Sequence, residues 1–149
     1  MKKTSVCLTL ACLLVSGGAS MSGSSTLAHP TNTEISLETL QGMFHDMRDK
    51  NGWNVDAPLV WDYFFTSHDR KKLLAAVPLL ERKGYRVIGI LEPTPQDDDQ
   101  GLLFLQVEKI ETHTPTSLYA RNKELYRFAD EHGLESYDGM DAGPVPGHQ

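Results

Sequence analysis

One stretch of this chain, from Leu59 to Thr66, constrains its fold more than any other. It contains aromatic and β-branched side chains that favour the pleated surface of a sheet, so we predict a strand. Because side chains alternate along a strand, one face would hold the large side chains Leu59, Trp61, Tyr63 and Phe65. The other face would hold a mixed set, Val60, Asp62, Phe64 and Thr66. Large side chains on both faces are typical of an interior strand, and we expect this strand to be central.

The first 28 residues have the order of a secretory signal peptide. Residues 2–3 are both lysine, residues 6–15 are mainly apolar, and small residues follow. The apolar run is too short to cross a membrane as a helix. Cleavage after Ala19 or after Ala28 would fit the sequence. We therefore expect residues 1–28 to be a signal peptide, and the mature protein to be periplasmic or secreted.

Removal of the signal peptide would also remove Cys7 and Cys12, the two cysteines of the chain. Lipidation at Cys12 is the alternative, which Thr9 disfavours because leucine is expected there. A mature chain without cysteine has no disulfide, no thiolate nucleophile and no cysteine-based metal site. Loss of Lys2 and Lys3 changes the formal charge from −6 to −8. This acidity disfavours nucleic acid and membrane as partners and favours a basic protein.

The rest of the chain alternates helical and strand patterns. Residues 29–58 form a polar leader and a helix that is predicted from Leu37 to Lys50. After the first strand we predict a helix that Ser67 or Asp69 caps, strands over 85–92 and 102–110, a helix from Thr114-Pro115 to Gly133, and a strand over 134–138. Pro78 should bend or end the first of these two helices. The Gly- and Pro-rich tail after the last strand would be flexible over residues 144–149.

This order of elements predicts an α+β fold. From Val60 onwards the chain runs βαββαβ, and right-handed crossovers would give four antiparallel strands with two helices on one face. In that arrangement the first strand is central. We therefore predict a ferredoxin-like βαββαβ sandwich over residues 59–143, with the helix from Leu37 as an extra N-terminal element.

No group of residues has the spacing of a catalytic or metal site. Ser67-His68-Asp69 contains the residue types of a hydrolase triad, but three consecutive residues cannot form its hydrogen-bonded line. Asp97-Asp98-Asp99 lacks the alternating carboxylates of a calcium loop. The histidines are scattered without metal-ligand spacing, and no Gly-rich loop leads from a strand into a helix. The sequence therefore predicts no catalytic residue, no metal site and no cofactor.

Several motifs, taken in order, resemble a known family. They are Tyr63-Phe64-Phe65, the helix end Leu80 to Tyr85, Thr114-Pro115, the helix end Arg127 to Gly133, and Tyr137-Asp138-Gly139. Over about residues 52–143 the chain resembles the regulator of ribonuclease E activity B (RraB) family. The resemblance implies a ferredoxin-like domain without catalytic activity, in a family whose named member binds and inhibits ribonuclease E.

Two classes of function follow. The first is a non-catalytic, protein-binding inhibitor or regulator. Because ribonuclease E is cytoplasmic, an exported copy would act on an envelope enzyme or a toxin, for example as an immunity protein against a secreted effector. The second is a periplasmic small-ligand binder or hydrolase, which would need a deep pocket at Asp62, His68 or Asp138.

The predicted partner surface is the sheet face opposite the helices. It would carry the aromatic and polar side chains Asp62, Phe64, Phe104, Gln106 and Glu108, a mixture that suits a protein interface. The extra helix could instead cover this face through Leu40, Phe44 and Met47. The partner would then bind the acidic loop at Asp98 or the end of the last strand at Tyr137-Asp138-Gly139.

Overall fold

The computed structural model describes residues 34–94, 99 and 101–146 of the chain. The predicted signal peptide and all but three residues of the leader before Leu37 lie outside them. The elements run in the order α1 (Leu37–Asp49), β1 (Leu59–Ser67), α2 (Arg70–Arg82), β2 (Arg86–Leu91), β3 (Leu103–Glu111), α3 (Pro115–Glu131) and β4 (Ser136–Pro144). In this part of the chain, none of the helices has the length and apolarity that a membrane span requires.

The four strands form one sheet in the order β2-β3-β1-β4, and every neighbouring pair is antiparallel. This is the ferredoxin-like α+β fold with α1 as an additional helix, which confirms the predicted fold class. As expected, β1 is an interior strand. Its alternate residues Trp61, Tyr63 and Phe65 are fully buried, whereas Asp62 and Phe64 between them keep part of their surface exposed.

The helices begin where their capping residues predict. The Ser36 hydroxyl accepts a hydrogen bond from the Thr39 N–H, and the Asp69 carboxylate accepts one from the Lys71 N–H at 2.9 Å. Thr114 forms a capping box with Ser117, and proline follows it at the first helical position. Each side chain satisfies a backbone donor that has no partner within its helix. Asp69 of the triad-like run is therefore a cap.

Two local predictions concern where elements end. Helix α2 continues through Pro78 to Arg82, so the early end, one of the two outcomes expected at Pro78, does not occur. Its apolar stripe, which includes the fully buried Leu73 and Leu80, offsets the single backbone hydrogen bond that proline removes. The expected end of the last strand at Asp138 is wrong: β4 extends to Pro144, because residues 139–144 pair with β1.

Helix α1 lies on the same side of the sheet as the other two helices. Its Phe44 ring stacks on Trp61 with 5.9 Å between the ring centroids. Just before the helix, the Ile35 N–H donates a hydrogen bond to the hydroxyl of Tyr126 in α3. The prediction that α1 could cover the opposite face is therefore wrong, and that face is free of helices in the described part of the chain.

Candidate protein-binding surface

The sheet face that carries none of the described helices is called the open face below. Because directly paired residues of neighbouring strands point to the same side, the register arranges its side chains in rows across the sheet. The central row, called the acidic row, contains Arg86, Glu108, Asp62 and Asp141, from β2, β3, β1 and β4 respectively. Three carboxylates and one guanidinium give this row a net negative charge.

Hydrogen bonds hold the side chains of the acidic row in place. Arg86 binds the Glu108 carboxylate through two nitrogens, with Nε 2.7 Å from Oε1. The Gln106 amide donates to Asp62 Oδ1 at 2.9 Å, and Asp141 Oδ1 accepts from the Ala142 N–H at 2.8 Å. The carboxylates therefore have defined positions before any partner arrives.

Apolar side chains flank the acidic row on both sides. Towards one end of the strands lie Val60 and Ile110, and the Ile110 side chain is 57% exposed. Towards the other end lie the partly exposed rings of Phe64 and Phe104, with Leu91 paired to Phe104 and 45% exposed. The open face thus combines rings, aliphatic side chains and carboxylates.

Four of the residues predicted to bind a partner lie together on this face. Asp62 pairs directly with Glu108, Phe64 lies in the next row, and Phe104 lies one row further, opposite Thr66. The prediction did not include Arg86 or Asp141. A sequence signal for Asp141 was present: outward-facing Asp141 and Gly143 alternate with inward-facing Met140 and Ala142, as in a strand.

The Tyr137-Asp138-Gly139 motif shapes the edge strand instead of forming one surface. The Tyr137 side chain is fully buried and donates a hydrogen bond to Asn122 Oδ1, so it cannot contact a partner. Asp138 is the exposed extra residue of a β-bulge opposite Phe64 and Phe65. Gly139 follows it with φ of 113°, a conformation that favours glycine. Asp98, the remaining predicted residue, lies outside the described residues.

A polar network that sequence reasoning missed lies on the helical side of the sheet. The Glu111 carboxylate accepts hydrogen bonds from Arg121 and from the Tyr63 hydroxyl, and His113 Nε2 lies 3.3 Å from it. The Trp61 indole N–H donates to the Glu111 backbone carbonyl at 3.1 Å. The network therefore joins the central strand to the start of α3, and its charged groups bind one another.

The network shifts the pKa values of its members in directions that follow from burial and charge. Burial opposes ionisation of Glu111, but the hydrogen bond and charge of Arg121 outweigh it and lower the Glu111 pKa. Burial, together with the Glu111 charge, raises the pKa of Tyr63. Burial lowers the pKa of His113 despite the nearby carboxylate. At neutral pH the carboxylate is therefore ionised and the imidazole is neutral.

A second polar cluster attaches the acidic loop to the end of β1. His68 Nδ1 lies 2.6 Å from Glu135, and Nε2 lies 2.8 Å from Asp99. Hydrogen bonds to Asp99 and Glu135 raise the pKa of His68. His68 therefore binds two carboxylates that are distant in the sequence. In a hydrolase triad it would have bound Ser67 and Asp69 instead.

A groove of about 240 Å³ lies between α1 and the outer edge of β4. Its lining is mostly apolar and comprises Thr39, Gly42, Met43, Asp46, Met47, Asn51, Trp53, Met140, Asp141 and Ala142. Asp62, His68 and Asp138 do not line it, so it does not match the pocket expected of a hydrolase. Among the described residues, no three side chains of His, Cys, Asp or Glu are grouped to hold a metal ion.

Comparison with known proteins agrees with this architecture. A family model described as RraB, regulator of ribonuclease activity B, matches residues 40–142. The match contains all of β1, β2, β3, α2 and α3, together with most of α1 and β4. A search of curated proteins gives no match.

Proposed function

The chain belongs to the RraB family, and we propose that it is a non-catalytic regulator that binds another protein through the open face of its sheet. One observation carries the proposal: the partly exposed ring of Phe64 lies in the row next to the acidic row, and that of Phe104 lies one row further, on a face that carries none of the described helices. Aromatic side chains supply much of the binding energy at protein interfaces. Carboxylates beside them increase the rate of encounter with a basic partner and fix its orientation.

The proposal includes export of the protein. Residues 1–28 have the basic, apolar and small-residue order of a signal peptide, and the target would then be an envelope enzyme or a toxin. An immunity protein against a secreted effector is one form of this function. Mass spectrometry of the protein recovered from the periplasm tests export: we expect residues 1–28 to be missing, and an intact Met1 would contradict it.

A periplasmic small-ligand binder is the second candidate, and the groove beside α1 is the observation that favours it. Its lining suits an apolar ligand. A hydrolase has less support, since Asp62, His68 and Asp138 do not converge on this groove. Saturable binding of a small apolar molecule that Met43→Glu abolishes would favour this alternative.

Capture of a partner by the full-length tagged protein, compared between variants, tests the main proposal. The open-face double variant Phe64→Ser, Phe104→Ser should lose a partner that the wild type retains. The matched control is Leu74→Ser, because Leu74 is a 53% exposed apolar residue of α2 on the other side of the sheet. Equal capture by both variants, or substrate turnover in a hydrolase screen, would contradict the proposal. Circular dichroism must show that both variants fold.

A further inference from the structure

We propose that the partner binds as an α-helix that lies across the strands and carries a row of arginine or lysine side chains over the acidic row. This inference depends on the proposed function and specifies the partner chemistry at the same face. It follows from the spacing of the carboxylates, the flanking apolar residues and the contact that Arg86 already makes.

The spacing of the carboxylates matches a helix better than a strand. Glu108, Asp62 and Asp141 occupy paired positions on three neighbouring strands. Adjacent strands are about 4.8 Å apart, so the row repeats at that distance. Side chains at i and i+4 of a helix are about 5–6 Å apart on one face. Same-face side chains of a strand are about 6.7 Å apart, and their mismatch with the row grows at each position.

The flanking residues define the rest of the helix surface. Same-face residues of β1 repeat about every 6.7 Å, which sets Val60 on one side of Asp62 and Phe64 on the other. A helix with its side chains is about 10–12 Å wide, enough to cover the row and reach both flanks. The partner should therefore have a basic stripe with apolar side chains on each side of it.

Open space on the outer strands would accept the partner side chains. A Cβ atom added at Gly89 on β2 or at Gly143 on β4 would meet no atom within 4 Å. The two glycines lie in the rows next to the acidic row, paired with Gln106 and Val60. A helix that crosses the sheet can thus continue past both of its edges without a clash at these positions.

Arg86 shows how a basic side chain binds this row. Its guanidinium forms an ion pair with Glu108, although the Arg86 side chain is 71% exposed. A partner arginine would make the same contact with Asp62 and Asp141 and would compete with Arg86 for Glu108. Replacement of Arg86 should therefore strengthen the binding of a basic helix, an effect opposite to that of most surface substitutions.

Two synthetic helical peptides of identical composition test the inference by calorimetry with the full-length protein. In the first peptide, arginines at i, i+4 and i+7 form one stripe with leucines on both sides. In the second, the same arginines are spread around the helix. We expect the first to bind at least about tenfold more tightly, a difference typical of a lost interfacial charge pair. Its affinity should also fall with added salt.

Variants of the row locate the binding of the striped peptide. Asp62→Asn and Asp141→Asn should each weaken it about tenfold. Arg86→Gln should strengthen it about two- to fivefold, the range of an exposed ion pair. Asp56→Asn is the control, because Asp56 is an 85% exposed carboxylate in the loop before β1. If Asp62→Asn does not fold, Glu108→Gln tests the same row from β3.

Equal affinity of the two peptides would overturn the inference, as would an Asp141→Asn variant that binds like the wild type. Equal weakening by Asp56→Asn would show a non-specific charge effect and would also overturn it. The helical partner can fail while the proposed function stands. If Phe64→Ser, Phe104→Ser loses the natural partner while the row variants retain it, the open face is the binding surface and the helical basic partner is wrong.

Discussion

The two faces of the sheet come from alternate residues of the same strands, yet their chemistry differs. On the helical face, Trp61, Tyr63 and Phe65 are fully buried, and the nearby charged groups bind one another. On the open face, Asp62 and Phe64 stay partly exposed, and carboxylates occupy directly opposite positions. Like charges opposite each other reduce the stability of a sheet, so the open face is not arranged for maximum stability.

This difference separates the effects of substitutions in β1. Odd-numbered positions from 61 to 65 contact the core, and their replacement should reduce the free energy of unfolding. Even-numbered positions from 60 to 64 face outward, and their replacement should reduce partner binding with little effect on folding. The predictions below test this division, beginning with the largest expected effect.

Trp61→Ala should destabilise the protein most. The Trp61 ring stacks on Phe44, lies nearly perpendicular to the His113 ring with 5.4 Å between the centroids, and donates a hydrogen bond to the Glu111 backbone carbonyl. Truncation of such a ring costs about 3–5 kcal/mol of unfolding free energy. Denaturant titration measures this loss, and Phe64→Ala on the open face is the comparison. Equal losses at the two positions would show that the division between the faces is wrong.

Arg121→Met should cost about 2 kcal/mol, the value of hydrogen bonds to a charged group. The change would leave the Glu111 carboxylate without its guanidinium partner beside the buried Tyr63. Arg48→Met is the matched control, because Arg48 is exposed and its nearest carboxylate oxygen is 3.7 Å away. If both variants have wild-type stability, the network does not support the helical face.

The helical face should also lose stability in mild acid through His113. Burial lowers its pKa below the usual 6.5, so the unfolded chain binds the proton more readily than the folded one. The contribution of His113 is therefore present above pH 6.5 and declines as the pH falls below that value. The pKa of Glu111 is lowered from 4.5, so this residue changes the stability only in stronger acid.

Unfolding titrations at about pH 5.5 and pH 7.5 measure this effect, and His113→Asn should reduce the difference between them. His68→Asn is a control with the opposite pH dependence. Hydrogen bonds to Asp99 and Glu135 raise the pKa of His68, so the stability that this histidine contributes is present below pH 6.5 and is lost as the pH rises. An unchanged pH dependence in His113→Asn would contradict the assignment.

Much of this fold was predictable because its signals are local. The alternation of residues from Leu59 to Thr66 predicts both faces, and Ser36, Asp69 and Thr114 mark the helix starts. Other features depend on distant contacts. Helix α1 has an apolar stripe, but which face of the sheet it covers depends on distant contacts such as that of Phe44 with Trp61.

The candidate surface was predictable in part for the same reason. Asp62, Phe64, Phe104 and Glu108 lie in strands with clear patterns. Asp141 lies between glycines in a segment with the composition of a tail, and its pairing with β1 makes it part of a strand. The Glu111–Arg121–Tyr63 network joins residues whose proximity no local pattern indicates.

The smallest predicted effect, a gain of about 0.5 kcal/mol or less in Asp141→Asn, tests the open face most directly. Asp141 is paired with Asp62, which is paired on its other side with Glu108, so the substitution removes a charge from the end of the row. Asparagine keeps the oxygen that accepts the Ala142 N–H. The gain should disappear at high salt, which screens repulsion between exposed charges. Asp56→Asn in the loop should show no such gain. A loss of stability in Asp141→Asn would contradict the prediction, because it would mean that this carboxylate supports the fold, as the charged groups of the helical face do.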